Sequence, residues 1–141
     1  MSKVNYPKYK ILIDPGSKKV QGLKVGDVVR REYYDGSYLV YSLMVVLETG
    51  TELVGGANSA WFIGALVTGN EPMAGQMLDF VRVTNLFDED RGGALYLTAS
   101  DADSPYMDVT DWLAKEQSLC WPVMGGGDLR VVGRNSVHFF C

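Results

Sequence analysis

Glycine and proline interrupt this sequence so often that short strands are favoured over long helices. The chain of 141 residues contains 16 Gly and 5 Pro, and the stretches between them are rich in Val, Ile, Leu, Tyr and Thr. Such residues favour strands, and turn signals at intervals of roughly 8–12 residues are typical of sandwiches and barrels. We therefore predict an all-β fold, an antiparallel β-sandwich or barrel of jelly-roll type, with at most one short helix.

The clearest local signal is a β-hairpin around Asp35-Gly36. Asp-Gly favours a type I′ turn because both central residues of that turn need a positive φ, which these two residues tolerate. We predict a strand over 28–34 and a returning strand over 37–47. The predicted register pairs Tyr33 with Tyr38, Arg30 with Tyr41, and Val28 with Leu43. The end of the apolar run 40–47 is predicted to be buried on both faces of the sheet.

Five further segments have the composition and apolar pattern of strands. They are residues 9–13, 61–68, 78–86, 94–99 and 129–140. A helix is a candidate only over 109–117, where Val109, Trp112 and Leu113 follow helical spacing. We assign residues 1–21 as an N-terminal strand and linker, and residues 22–141 as a single β-sandwich or barrel domain.

The charge balance excludes several classes of partner. There are 13 Lys and Arg against 17 Asp and Glu, a formal net charge of −4, so no broad basic surface is available for phosphates and no nucleic-acid partner is expected. No run approaches the ~18 apolar residues of a membrane span. Residues 1–10 lack the apolar stretch of a signal peptide, and no membrane partner is expected.

Groups that could catalyse a reaction are scarce. His138 is the one histidine, and no nucleophile elbow surrounds Cys120 or any serine with which it could pair. Two Cys and one His cannot complete a four-ligand zinc site by themselves. Cys120 and Cys141 are interpreted as free thiols, with a disulfide between them as the alternative. We predict that the protein is not an enzyme and needs no cofactor.

Acidic residues cluster in two stretches, 88–90 and 101–111. Calcium takes six to eight oxygen ligands, which Asp101, Asp103 and Asp108 could supply in part. Neither stretch has the spacing of a calcium-binding EF-hand loop. Asp also stabilises turns by bonding to its own backbone, and we favour that interpretation over a structural Ca²⁺ site.

Aromatic residues are the feature best suited to binding. The candidate contact residues for a partner or ligand are Trp61, Phe62, Tyr33, Tyr38, Trp112 and Trp121. Aromatic rings are enriched at protein interfaces, and they also provide flat faces on which sugar rings stack. We favour packing in the core or against another subunit over sugar binding.

Several motifs resemble a β-domain of tail and fibre proteins from tailed bacteriophages and prophages of gut bacteria. The resemblance covers roughly residues 22–111. It includes the Leu-x-x-Gly-Asp step at 23–27, after which a strand begins in that family. It continues through 33–36, 41–44, 78–86 and the Gly-rich segment 91–100, and ends in the Ser-Pro-Tyr segment at 104–109. The Arg-Leu-Gly stretch and long fibre that usually follow in the family have only a loose counterpart at 129–133.

The resemblance implies a non-enzymatic component of a virion, in a tail, a fibre or an adaptor, that is assembled in the host cytoplasm. Its expected partners are copies of itself and neighbouring virion proteins, contacted through apolar surface and open sheet edges. The segment 61–67 is our first candidate for such an edge or contact. The alternative is a carbohydrate-binding module that recognises a bacterial surface polysaccharide.

Overall fold

The computed structural model describes residues 8–14, 17–70, 93, 95–98, 123–124, 127–135 and 137–140. These residues form eight strands and no helix. The strands are β1 (Lys8–Leu12), β2 (Val28–Asp35), β3 (Tyr38–Val54), β4 (Ala57–Gly69), β5 (Leu95–Thr98), β6 (Val123–Met124), β7 (Asp128–Gly133) and β8 (Val137–Phe140). The segments 78–86 and 109–117, predicted as a strand and a helix, lie outside the described residues.

Six of the strands form one sheet in the order β6-β1-β4-β3-β2-β7. Its pairs are antiparallel except for β1 with β6, which is parallel. β5 and β8 pair in parallel as a second sheet. The described part of the chain is therefore all-β, as predicted, and is consistent with a sandwich or barrel.

The centre of the six-stranded sheet is buried on both faces. Val29 pairs with Met44, and both pack in the main apolar cluster on one face. Their neighbours Val28 and Val45 also pair, point to the opposite face because side chains alternate along a strand, and are 0% exposed. Each such side chain stabilises the fold by roughly 1.5–3 kcal/mol. Burial of the apolar run on both faces is confirmed for 43–46.

A turn at residues 24–27 begins β2. The N–H of Asp27 donates to Lys24 O at 3.0 Å, and Gly26 has a φ of 91°, as the third residue of a type II turn requires. The Asp27 carboxylate is fully buried and accepts bonds from three donors: Lys24 N at 2.9 Å, Asn135 N at 2.9 Å and Arg134 Nη1 at 3.0 Å. The Gly-Asp step therefore ties the start of β2 to the chain that follows β7.

The β2–β3 hairpin is present, but its turn lies one residue later than predicted. Asp35 pairs with Tyr38, so Gly36 and Ser37 are the central residues. Of the two, only Gly36 has a positive φ, 63°, which is the pattern of a type II′ turn with glycine in its first central position. The predicted type I′ turn centred on Asp35-Gly36 is wrong.

The later turn shifts the strand register by two residues. Tyr33 pairs with Val40, Arg30 with Leu43, and Val28 with Val45. A slip of one residue would have moved every side chain to the other face, whereas a slip of two leaves each on its predicted face. The guanidinium of Arg30 still lies over the Tyr41 ring, 4.4 Å from its centroid, as a diagonal neighbour.

Two other predicted strands need comment. The single strand predicted over 129–140 is wrong, since β7 ends at Gly133 and β8 begins at Val137. Between them Asn135 has a φ of 49°, a left-handed conformation that an extended strand does not accommodate. The predicted N-terminal strand is present as β1, which pairs with β4 inside the six-stranded sheet.

Candidate docking surface

The β3–β4 hairpin extends well beyond the rest of the six-stranded sheet. On its β2 side, β3 is paired only as far as Val46. The Val46 N–H donates to Asp27 O, and the Val46 C=O accepts from Gly26 N, both at 2.9 Å. On its β1 side, β4 is paired only as far as Ala60, whose C=O accepts a hydrogen bond from Ile13 N at 2.8 Å. Beyond these points, within the described ranges, the two strands pair only with each other.

We call residues 48–60 the arm. Its first strand, 48–54, is roughly 20 Å long. The turn consists of Gly55 and Gly56, with φ values of 59° and 83°, and a type I′ turn needs a positive φ at both positions. Just before the turn, Leu53 and Val54 are 72% and 45% exposed. A two-stranded hairpin is marginally stable in water, and these side chains gain nothing from the core, so the arm is suited to contact a partner.

The outer edge of β3 in the arm directs its backbone groups at solvent. When two residues lie directly opposite each other in an antiparallel pair, their backbone N–H and C=O groups either bond to each other or point away from each other. The backbone groups of Ala60 point away from β3, because its C=O bonds to Ile13 N in the direction of β1. The residue opposite Ala60 on β3 is Thr51. The N–H and C=O of Thr51 therefore face the open edge, and by alternation so do those of Thr49 and Leu53. All three are exposed residues.

Trp61 braces the base of the arm. It pairs with Gly50, and the indole occupies the space that a Gly50 side chain would need. The Lys10 ammonium lies 4.9 Å from the centroid of the indole ring and forms an ion pair with Glu52 at 2.8 Å. Trp61, predicted to contact a partner, is thus half-buried by its own chain and holds the arm.

Phe62, also predicted to contact a partner, is buried by its own chain. It is 0% exposed and belongs to the main apolar cluster. The expectation that 61–67 forms an edge is wrong, because β4 lies between β1 and β3 near the centre of the sheet. An apolar segment of this kind is better buried on both sides than left at an edge.

Tyr33 and Tyr38 lie near the opposite end of β3. They share one face as diagonal neighbours, since Tyr33 pairs with Val40 and Tyr38 with Asp35. The guanidinium of Arg31 lies 5.0 Å from the Tyr33 ring centroid, and Tyr38 is 62% exposed. The partners of Tyr33 and Trp61 on β3 are ten residues apart, roughly 33 Å of strand. Among the described residues, the predicted aromatic contacts therefore do not form one surface.

A basic loop lies beside the base of the arm. We use this name for residues 17–26, which contain the exposed Lys18, Lys19 and Lys24 and no acidic residue. Val25 in this loop is 45% exposed. The loop is held by Val20, which is buried in the main apolar cluster.

Arg134 also fastens the basic loop. It donates through Nη1 to Gly22 O and through Nη2 to Gln21 O, both at 2.9 Å. Lys18 and Lys24 are therefore exposed on a fixed backbone, whereas Lys19 pairs with Asp128 at 3.0 Å. The assignment of residues 1–21 as a strand and linker does not predict this arrangement.

Trp112 and Trp121, and the calcium candidates Asp101, Asp103 and Asp108, lie outside the described residues. In the described part, no group of three or more His, Cys, Asp or Glu is placed to bind a metal ion. The backbone of His138 lies in β8, where it pairs with Tyr96.

Leu53 and Val54 are exposed candidates for docking that the sequence pattern did not single out. The available signal was Gly55-Gly56, because such a dipeptide between two strand-like segments indicates a tight hairpin. The predicted strand ended at 47, where the apolar run ends, and left 48–60 without an assignment.

Comparison with known proteins yields no relative. No family model, no curated protein and no solved structure matches the chain. Within the described ranges there is no helix of the length and hydropathy needed to cross a membrane.

Proposed function

We propose that this protein is a non-enzymatic structural subunit of a bacteriophage virion, in a tail, a fibre or an adaptor, and that it acts by docking to other protein subunits. The arm is the observation that supports docking. It exposes two large aliphatic side chains, Leu53 and Val54, at the end of a hairpin that its own sheet does not cover. The virion assignment is supported by the motif resemblance over residues 22–111.

The arm offers a partner two kinds of interaction. Burial of a Leu or Val side chain stabilises a complex by roughly 1.5–3 kcal/mol before ordering costs. The open backbone edge at Thr49, Thr51 and Leu53 can accept an added strand, which gives affinity through main-chain hydrogen bonds. A partner that takes both interactions would also order a hairpin that is marginally stable alone.

Sedimentation velocity at micromolar concentration tests the docking function. We expect wild-type protein to form oligomers, and Leu53→Ser to reduce them without loss of folded structure. Tyr34→Ser is the matched control, because Tyr34 is 71% exposed at the opposite hairpin and should leave the oligomers unchanged. Equal effects of the two substitutions would contradict a specific role for the arm.

Immunogold labelling of particles from a lysate of the bacterium that carries the gene tests the virion assignment. We expect the label at one fixed position on intact particles. Label confined to the soluble fraction would contradict the assignment.

A surface polysaccharide is the alternative ligand, supported by the exposed Tyr38 ring beside Tyr33 and the Arg31 guanidinium. Affinity electrophoresis through gels that contain bacterial surface glycans, with and without EDTA, tests it. Retardation that Tyr38→Ala abolishes would support glycan binding. Unchanged mobility in all gels would exclude this alternative for the glycans used.

A further inference from the structure

We propose that two copies of this chain exchange their arms about a two-fold axis, so that each arm lies along the other and its tip contacts the basic loop of the other copy. This inference rests on the proposed docking function and names the partner of the arm. It assigns the open edge of β3 to a second copy rather than to a different virion protein.

The first argument is complementarity within one chain. The arm has acidic residues and no Lys or Arg, whereas the basic loop has Lys and no Asp or Glu. Within the chain, Glu52 of the arm pairs with Lys10, and Lys19 of the basic loop pairs with Asp128. Glu48 in the arm and Lys18 and Lys24 in the basic loop therefore carry the charges that can meet between two copies. The arm and the basic loop each also expose apolar side chains, Leu53 and Val54 in the arm and Val25 in the basic loop. Opposite charges around apolar centres are the arrangement by which interfaces select their partners.

The second argument is that one chain cannot satisfy this complementarity by itself. Gly26 and Asp27 bond to Val46, so the basic loop lies at the base of the arm. Leu53 is seven residues further along β3, roughly 23 Å away. The tip of the arm can therefore contact a basic loop only if that loop belongs to another copy.

The third argument is the side on which the edge is open. The basic loop bonds to the β2 side of β3, and the open edge at 48–54 continues along that same side. A second arm that pairs antiparallel with this edge runs in the direction opposite to the first arm. The tip of the second arm therefore lies beside the basic loop of the first copy. The same operation brings the first tip to the second loop. Such a reciprocal contact closes after two copies.

The backbone pattern indicates the register. Thr49, Thr51 and Leu53 carry the outward N–H and C=O groups, as the bond of Ala60 to Ile13 implies. A two-fold axis at Thr51 places Thr51 opposite Thr51 and Thr49 opposite Leu53 of the second copy. Every outward group then meets an outward group, and no Glu lies directly opposite a Glu. Directly opposed bonded residues are about 5.5 Å apart between Cα atoms, a distance that a disulfide spans.

Disulfide trapping tests this register. Thr51→Cys, in a background with Cys120→Ser and Cys141→Ser, should form a covalent dimer under mild oxidation. Thr49→Cys in the same background should not, because its counterpart across the axis is Leu53. A mixture of Thr49→Cys and Leu53→Cys proteins should restore cross-linking.

Thr51→Pro is the second variant and keeps both native cysteines. Proline removes an N–H that faces the open edge and that the chain's own sheet does not use, so the fold should tolerate it. Two hydrogen bonds across the axis are lost, and the dimer dissociation constant should rise roughly tenfold or more. Trapping at Thr51 together with this weakening would support the arm exchange.

Two results would overturn it. If wild-type oligomers are lost in Leu53→Ser but Thr51→Cys is not trapped and Thr51→Pro has no effect, arm exchange is wrong while docking through the arm stands. If wild-type protein is a strict monomer, arm exchange is also wrong. In that case, incorporation of the Leu53→Ser variant into particles decides whether the proposed function also fails. Unchanged incorporation would contradict docking through the arm, and reduced incorporation would support it.

Discussion

The indole of Trp61 lies against the backbone of Gly50 on the opposing strand, where a side chain would otherwise stand. Glycine weakens a strand because it has no side chain to pack, and an aromatic residue opposite restores the missing contact. Here the pair lies where the arm leaves the sheet, and the Lys10 ammonium lies over the indole ring. The direction of the arm therefore depends on a residue that has no side chain.

Gly50→Ala should displace the indole and loosen the arm. A Cβ at this position would lie 2.7 Å from Cε2 of Trp61, which forces the ring to move. We expect destabilisation of about 1–3 kcal/mol, the usual range for overpacking, and a change in tryptophan fluorescence. Urea unfolding with Thr51→Ala as control measures the effect. In a Trp61→Val background the cost should fall, and an unchanged cost would show that the two residues are not coupled.

Asp27→Asn should destabilise the fold although the shapes of the two side chains match. Both carboxylate oxygens of the buried Asp27 only accept hydrogen bonds, so an amide nitrogen would face a donor from Lys24, Arg134 or Asn135. Loss of a buried charged partner costs about 3 kcal/mol, measured as the change in unfolding free energy in urea.

Asp128→Asn is the control for the Asp27 substitution. Asp128 pairs with Lys19 at 3.0 Å, and both side chains are more than half exposed. Exposed pairs contribute little, so the change should stay within about 1 kcal/mol. Equal losses at Asp27 and Asp128 would mean that burial does not set the cost.

Gly93→Ala should be among the most damaging single substitutions. A Cβ at Gly93 would collide with the backbone carbonyl of Val132, and backbone cannot move aside as a side chain can. Gly22 has nearly the same φ, 69° against 72°, but open space around it. Gly22→Ala should therefore cost only the conformational term, about 1–2 kcal/mol, while Gly93→Ala should exceed 4 kcal/mol. Similar melting temperatures of the two variants would refute the predicted collision.

Asn70→Asp should loosen β3 where β4 ends. The Asn70 side chain accepts from Tyr41 N at 2.7 Å and donates to Leu39 O at 3.0 Å, and so takes the place of a further strand residue. A carboxylate keeps the first bond but brings an oxygen against the Leu39 carbonyl. We expect a loss of about 1–3 kcal/mol and faster hydrogen exchange at the Tyr41 amide. Asn58→Asp, on the exposed part of the arm, should change neither quantity appreciably.

The sequence predicted the strand class and the faces better than it predicted the pairing. Apolar alternation placed Tyr33 and Val28 on their correct faces, because a register error of two residues leaves the pattern unchanged. The exact turn was harder to predict, since both Asp35-Gly36 and Gly36-Ser37 suit tight hairpins. Burial of 43–46 was predictable from composition alone.

The docking surface was much less predictable. Thr51 and Glu52 carry no apolar signal, and their edge is open only because no described strand lies beside it. Trp61 and Phe62 looked equally suited to contact, yet one braces the arm and the other lies in the core. That distinction depends on which strands lie beside β4, a non-local property that local sequence pattern does not encode.

β3 runs for 17 residues, from the hairpin at Gly36-Ser37 to the turn at Gly55-Gly56. A tensile load on the tip of the arm would be shared by its two strands, and β3 would transmit its part into the middle of the sheet. There β3 is hydrogen-bonded to β2 on one side and to β4 on the other. Sliding β3 along its own axis would require these hydrogen bonds to break together rather than one after another. A subunit anchored by this hairpin would resist being pulled from its neighbours far better than its small contact area suggests.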